Sequence, residues 1–119
     1  MSMRYLILVS HGTFAPGLHN AVGMMAGAGR EDIRSTSLLD GMDVDTYRKA
    51  FAELVADITA EDEILLFADI IGGSPLTTAM EVLTEKGLAA NTAAIGGMNL
   101  PLVLPPAFAD ADAPLAQVA

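Results

Sequence analysis

Cysteine is absent from this 119-residue chain, which removes disulfide scaffolds, zinc–thiolate sites and thiol catalysis together. That absence is compatible with a reducing cytosol. Basic residues are scarce. Six Lys and Arg stand against 15 Asp and Glu, for a net charge of −9. Such a chain repels phosphate backbones and anionic membrane surfaces, so nucleic-acid binding and adsorption to anionic lipid are disfavoured. Long hydrophobic runs are missing too. The apolar run Tyr5–Val9 is too short for a signal-peptide core and ends in Ser10-His11-Gly12, which is no cleavage pattern. No apolar stretch reaches the roughly 18 residues that span a bilayer. What is present is core material. With 52% hydrophobic and 18% charged residues, the composition argues against disorder, and the length suits one core, not two. The reading is a single soluble, cytoplasmic domain.

Short apolar runs alternate with helical spacing. Tyr5–Val9 and Glu63–Asp69 are continuous apolar runs bounded by glycine or charge, which suits strands buried on both faces of a parallel sheet. Ile33–Leu39 and Thr92–Ile95 read as two further strands. Phe14 to Ala28 places Leu18, Val22, Met25 and Ala26 at helical spacing, so Met24 and Met25 are expected to pack and not to form a binding surface. The acidic group Asp40, Asp43 and Asp45 falls at a helix start, where an Asp43 or Asp45 cap would lead a helix to about Ile58. Ser74 is expected as N-cap and Pro75 as first residue of a helix ending near Lys86-Gly87. Pro101 opens a last helical segment, which Pro105-Pro106 should interrupt or kink. The alternation predicts an α/β fold, a three-layer sandwich with a central, mainly parallel sheet and helices on both faces. Residues 1–108 form the domain. Residues 109–119, rich in Ala, Asp and Pro, read as a tail or a truncated C-terminal element.

Ligands of such sheets gather beyond the carboxyl ends of the strands. Three polar or glycine-rich turns meet that edge: Ser10-His11-Gly12, Asp69 with Gly72-Gly73-Ser74-Pro75, and Gly96-Gly97-Met98-Asn99. His11 is the lead candidate. Imidazole serves as nucleophile, base or ligand near neutral pH. A nucleophilic histidine needs one ring nitrogen free and the other donating to an acceptor that fixes the tautomer, and Asp69 could be that acceptor. A histidine merely hydrogen-bonded at a strand end, and an Asp69 that caps its own turn, are equally open at this point. The Gly72–Ser74 turn offers amides at a helix start for an anion, or simply a tight connection. It is not a Walker loop, lacking the Gly-Lys-Ser/Thr. His19 reads as a solvated helix residue. Neither a metal site nor a cofactor is indicated.

Three motifs carry a family resemblance: Leu-Val-Ser-His-Gly-Thr-Phe-Ala at 8–15, Phe-Ala-Asp-Ile-Ile-Gly-Gly-Ser-Pro at 67–75, and Gly-Gly-Met-Asn-Leu-Pro-Leu at 96–102. In order and spacing they resemble the IIA component of the mannose/fructose/sorbose class of the bacterial phosphotransferase system (PTS), over nearly the whole chain to Phe108. The resemblance implies a phosphotransferase role in sugar uptake. His11 would accept a phosphoryl group from phospho-HPr and pass it to a IIB component, and through it to the membrane permease subunits. Asp69 would orient His11. Gly72, Gly73 and Ser74 would hold phosphoryl oxygens, with Ser10, Gly12, Met98 and Asn99 bordering the site. The protein would be cytoplasmic, or peripheral to the membrane through the permease complex. The family usually continues into a longer C-terminal helix and a strand exchanged in a dimer. The chain's end at Ala119 and its prolines put that strand in question, while a homodimer stays the expectation.

Other readings of the same residues are a regulatory IIA-like domain and the phosphocarrier subunit of dihydroxyacetone kinase. A tetrapyrrole chelatase shares the strand-His-Gly opening but needs a second, late histidine, and here the other histidine is His19. A histidine phosphatase would want arginine where Ser10 stands.

Overall fold

The computed structural model describes residues 2–109 and Leu115. The stretch read above as a tail lies outside the described residues, apart from Ala109 and Leu115. The elements follow in the order β1 (Arg4–His11), α1 (Phe14–Ala26), β2 (Ile33–Leu38), α2 (Val44–Leu54), β3 (Glu63–Ala68), α3 (Ser74–Glu85), a single 3₁₀ turn at Ala89–Asn91, β4 (Thr92–Ile95) and α4 (Leu100–Phe108). The four strands form one sheet in the order β2-β1-β3-β4, and every pairing is parallel.

The apolar runs of β1 and β3 are continuous because both strands are central and covered on both sides. Alternate residues feed opposite layers. Tyr5, Ile7, Val9, Ile64, Leu66 and Ala68 pack with Tyr47 and Phe51 of α2 and Leu76, Ala79, Val82 and Leu83 of α3. Leu6, Leu8, Leu65 and Phe67 pack with Ala15, Leu18 and Val22 of α1 and Val103 and Ala107 of α4. The register sets Val9 beside Ala68 and His11 beside Leu38, so β1 runs past the end of β3 by two residues, Ser10 and His11.

Helix boundaries follow local chemistry. Asp43 caps α2, its carboxylate accepting the Thr46 amide at 2.7 Å. At the end of α3, Gly87 adopts φ +74°, the Leu88 amide donates to the Leu83 carbonyl and the Gly87 amide to Thr84, which is a Schellman closure. Four expectations need correction, and the first is the length of α2, which stops at Leu54 and not near Ile58. The N-cap of α3 is Gly73, and Ser74 is already helical with no capping bond from its side chain. Proline is tolerated at either of the first two helical positions, because neither amide has an intrahelical acceptor, so Pro75 does not locate the start to one residue. α4 runs across Pro105 and Pro106, since burial of Val103, Pro106 and Ala107 holds that short segment in place. Met24 and Met25 are exposed. The buried stripe of α1 is Ala15, Leu18 and Val22, and it continues to the partly buried Ala26 and not to Met25.

Candidate functional site

The carboxyl ends of β1 and β3 bring His11 and Asp69 together across 58 residues of sequence. The His11 Nδ1 lies 2.9 Å from Asp69 Oδ2. That same carboxylate oxygen accepts the His11 backbone amide at 3.0 Å, while Oδ1 accepts the Ile70 amide at 2.9 Å. Asp69 thus both pairs with the histidine and caps its own turn, the two roles the residues alone left open. Partial burial pushes the Asp69 carboxyl up, but the bonds from the His11 amide, the His11 ring and the Ile70 amide outweigh it and hold the group below its ordinary value. A carboxylate facing Nδ1 selects the tautomer with a proton there, which leaves the Nε2 lone pair free. The imidazole side chain is 48% exposed and Asp69 only 19%, so the acceptor is sheltered and the ring is accessible.

The loop under the ring is held from below. Ser10 is fully buried, and its hydroxyl accepts the Ala15 amide at 2.7 Å, tying the start of α1 to the end of β1. Gly12 turns the chain at φ +60° and its amide donates to the Leu38 carbonyl at 2.9 Å. A cavity of about 350 Å³ opens beside the ring between His11, Gly12 and the Leu38–Met42 loop.

The glycine turn lies against the other side of the ring. A Cβ at Gly73 would stand 2.9 Å from His11 Cε1 and 3.2 Å from Ile70 Cγ1. Gly72 takes φ +85°, and Ser74 begins α3. The third turn reaches the site through its backbone. Gly97 and Met98 amides donate to the Asp69 and Ala68 carbonyls at 3.1 and 2.9 Å. The Met98 side chain itself is buried in the core, and Asn99 caps α4 by accepting the Leu102 amide at 2.8 Å.

The model of the EIIA-man family, described as the PTS system fructose IIA component, matches residues 5–118. The chain belongs to that family. Among relatives of this EIIA-man chain, the PTS system fructose-specific EIIA component of Bacillus subtilis (strain 168) is 28% identical over 99 residues, covering 83% of this chain and 65% of the relative. The chain therefore spans just under two thirds of that relative's length. A PTS IIA protein associated with the fucose utilization operon of Streptococcus pneumoniae superposes with a TM-score of 0.83 at 24% identity, covering 99% of this chain and 88% of the other. A putative phosphoenolpyruvate-dependent sugar PTS permease of Klebsiella pneumoniae gives a TM-score of 0.72 at 26% identity, covering 98% and 81%. These likenesses bear out the α/β fold expected above. Among the described residues, no helix of the EIIA-man domain is long and apolar enough to cross a membrane.

Two features escaped the sequence reading. Tyr47 is fully buried, and its hydroxyl donates to the Pro75 carbonyl at 2.8 Å, bracing the first turn of α3. Burial, helped by the charge of Asp69, pushes that hydroxyl far above its ordinary value. Only its place on the apolar face of α2 hinted at burial, and nothing marked its polar end. His19 is not simply solvated. It is half-buried, with Nδ1 2.7 Å from the Ser35 hydroxyl.

Proposed function

We propose that this chain is a phosphohistidine carrier of PTS sugar uptake, with His11 taking a phosphoryl group from phospho-HPr and handing it to a IIB component. The observation that carries the reading is the 2.9 Å contact of His11 Nδ1 with Asp69 on a half-exposed ring. In the transfer, the P–N bond of the donor histidine breaks as a bond from phosphorus to His11 Nε2 forms. Nδ1 keeps its proton and its bond to Asp69. The positive charge that develops on the ring is met by a carboxylate already oriented and already ionised. Little covalent chemistry is asked of the protein, so positioning and charge stabilisation supply the catalysis.

The remaining assignments rest on placement. Gly72, Gly73 and Ser74 stand at the start of α3, where backbone amides lack helical acceptors and favour the phosphoryl oxygens. Ser10 and Gly12 set the loop that presents the ring, and Met98 and Asn99 border it through the β4–α4 turn.

The test is intact mass after incubation with phosphoenolpyruvate, enzyme I and HPr, on wild type and His11→Ala. The expected result is an acid-labile gain of one phosphoryl group on wild type and none on the variant. Adding a IIB protein should then discharge it. Discharge only by the nucleotide-binding subunit of dihydroxyacetone kinase would move the acceptor to that system. No gain on folded protein with its cognate HPr would overturn the carrier reading.

A further inference from the structure

A second polar centre lies on the other layer of the molecule, away from His11. Between α1 and β2 a cavity of about 320 Å³ is lined by His19, Asn20, Ser35, Arg30 and the glycine turn that follows α1. The volume is that of a small-molecule site. His19 and Ser35 come from different elements and meet with Nδ1 to Oγ at 2.7 Å, a short contact in which the Ser35 hydroxyl donates when Nδ1 carries no proton. Both side chains line the cavity, and neither residue is fully buried or fully exposed. Partial burial lowers the pKa of His19, while a backbone hydrogen bond to Ile33 works in the opposite direction.

Among the described residues, the cavity carries no spare cation. Arg30 is the cationic lining residue, and it is spent in place. Its Nε and Nη2 donate to the two carboxylate oxygens of Asp32 at 2.9 and 2.7 Å, and its Nη1 donates to the Ala107 carbonyl at 2.8 Å. A ligand here meets a hydroxyl, an imidazole and an amide beside the apolar edge of Pro16 and Ile33. That lining, with its arginine already paired, suits a small uncharged molecule.

We propose that Ser35 and His19 form a second reactive centre, in which Ser35 is a nucleophile activated by His19 toward small uncharged esters. In the first step the Ser35 Oγ–H proton passes to His19 Nδ1 and Oγ bonds to the ester carbonyl carbon. The C=O π pair moves onto the carbonyl oxygen as Oγ adds; it returns as the bond to the alcohol oxygen breaks and His19 gives its proton to that oxygen, so acyl-Ser35 and free alcohol result. Water repeats the sequence. Its proton goes to His19, its oxygen bonds to the acyl carbon, and Ser35 leaves with the proton to give a carboxylic acid. Ser35 is the nucleophile within reach of the base, and the backbone bond to Ile33 is the third group that orients that base. None of it passes through His11, so it stands or falls apart from the carrier reading.

The experiment labels the protein with a small dialkyl fluorophosphate, which forms an Oγ–P bond at an activated serine, releases fluoride and leaves a stable adduct. Labelling is done in the His11→Ala background to remove the competing imidazole, and the site is mapped by peptide mass. One adduct per chain on Ser35 is expected, with the labelling rate falling at least about 100-fold in His19→Gln, the low end of what a positioned base contributes. Hydrolysis of 4-nitrophenyl acetate should fall in parallel and vanish in Ser35→Ala. Unlabelled Ser35 on folded protein would overturn the proposal without any variant at that position. Labelling at an unchanged rate in His19→Gln would overturn it too, since Ser35 would then be merely accessible.

Discussion

Gly73→Ala separates the site from the fold. Gly73 has φ −80°, so alanine fits the backbone without strain. The difficulty is space. The new methyl would stand 2.9 Å from His11 Cε1 and 3.2 and 3.3 Å from the Ile70 side chain, against the roughly 3.5–4.0 Å at which carbons rest. Something must yield by about 0.6 Å or more. Ile70 is exposed and can swing away, whereas the ring is held by its 2.9 Å bond to Asp69. Displacing the ring lengthens that bond toward the limit of hydrogen bonding, and keeping it closes the space where the phosphoryl group would approach. Stability should fall by no more than about 1 kcal/mol, as for a surface contact that can partly relax. Phosphorylation should slow by about 100-fold, the usual consequence of an ångström-scale misplacement of a reacting group. The assay pairs thermal unfolding with the rate of phosphoryl uptake from phospho-HPr. A variant that takes up phosphate at the wild-type rate would refute the close approach of turn and ring as a determinant of activity.

Three further outcomes are expected. Asp69→Asn must either face an amide N–H toward the His11 and Ile70 donors or flip the His11 tautomer, so uptake by rapid-quench assay should drop about 100-fold or more, as loss of the correct tautomer does in hydrolytic triads. Gly17→Ala lies in α1 with no atom within 4 Å of the added methyl, and should raise stability by about 0.5–1 kcal/mol in denaturant titration with uptake unchanged. Asp32, Asp62 and Asp69 are all held below their ordinary values, so the folded state binds fewer protons than the unfolded one in that range. Stability should therefore be flat only between the ordinary histidine and tyrosine ranges, about pH 7.5 to 9; it should decline below that because His19 is also held low, and further as pH falls through the unfolded and then the folded carboxylate range, and a urea midpoint that rises on acidification would contradict this.

The layout of this fold is legible wherever burial and backbone chemistry point the same way. β1 and β3 stand out as unbroken apolar runs because both faces are covered, and three polar or glycine-rich turns mark one edge because parallel strands all end there. The pairing of His11 with Asp69 was one of two ways to compensate a carboxylate at the end of a buried strand, the other being a bond to its own turn, and the structure has both. Legibility failed where a residue's role depends on a partner distant in sequence. His19 is an ordinary helix residue until β2 brings Ser35 beside it. Met25 shares the spacing of Leu18 and Val22, and only the packing of α1 shows that Ala26 continues the buried stripe. Pro105 and Pro106 break a helix by local rules, yet buried neighbours keep α4 continuous around them.

The separation of 58 residues between His11 and Asp69 also has a bearing on timing. Neither residue can meet the other until β1 and β3 align, and a parallel pairing of this kind closes a long loop before any contact rewards it. A chain still leaving the ribosome holds His11 early but lacks Asp69, the glycine turn and α3, so its imidazole is an unassisted one. On the carrier proposal, competence to react thus arrives with the central strand pairing and not before. Partly folded copies would be poor acceptors, and phosphoryl uptake during refolding would serve as a clock for the assembly of the sheet.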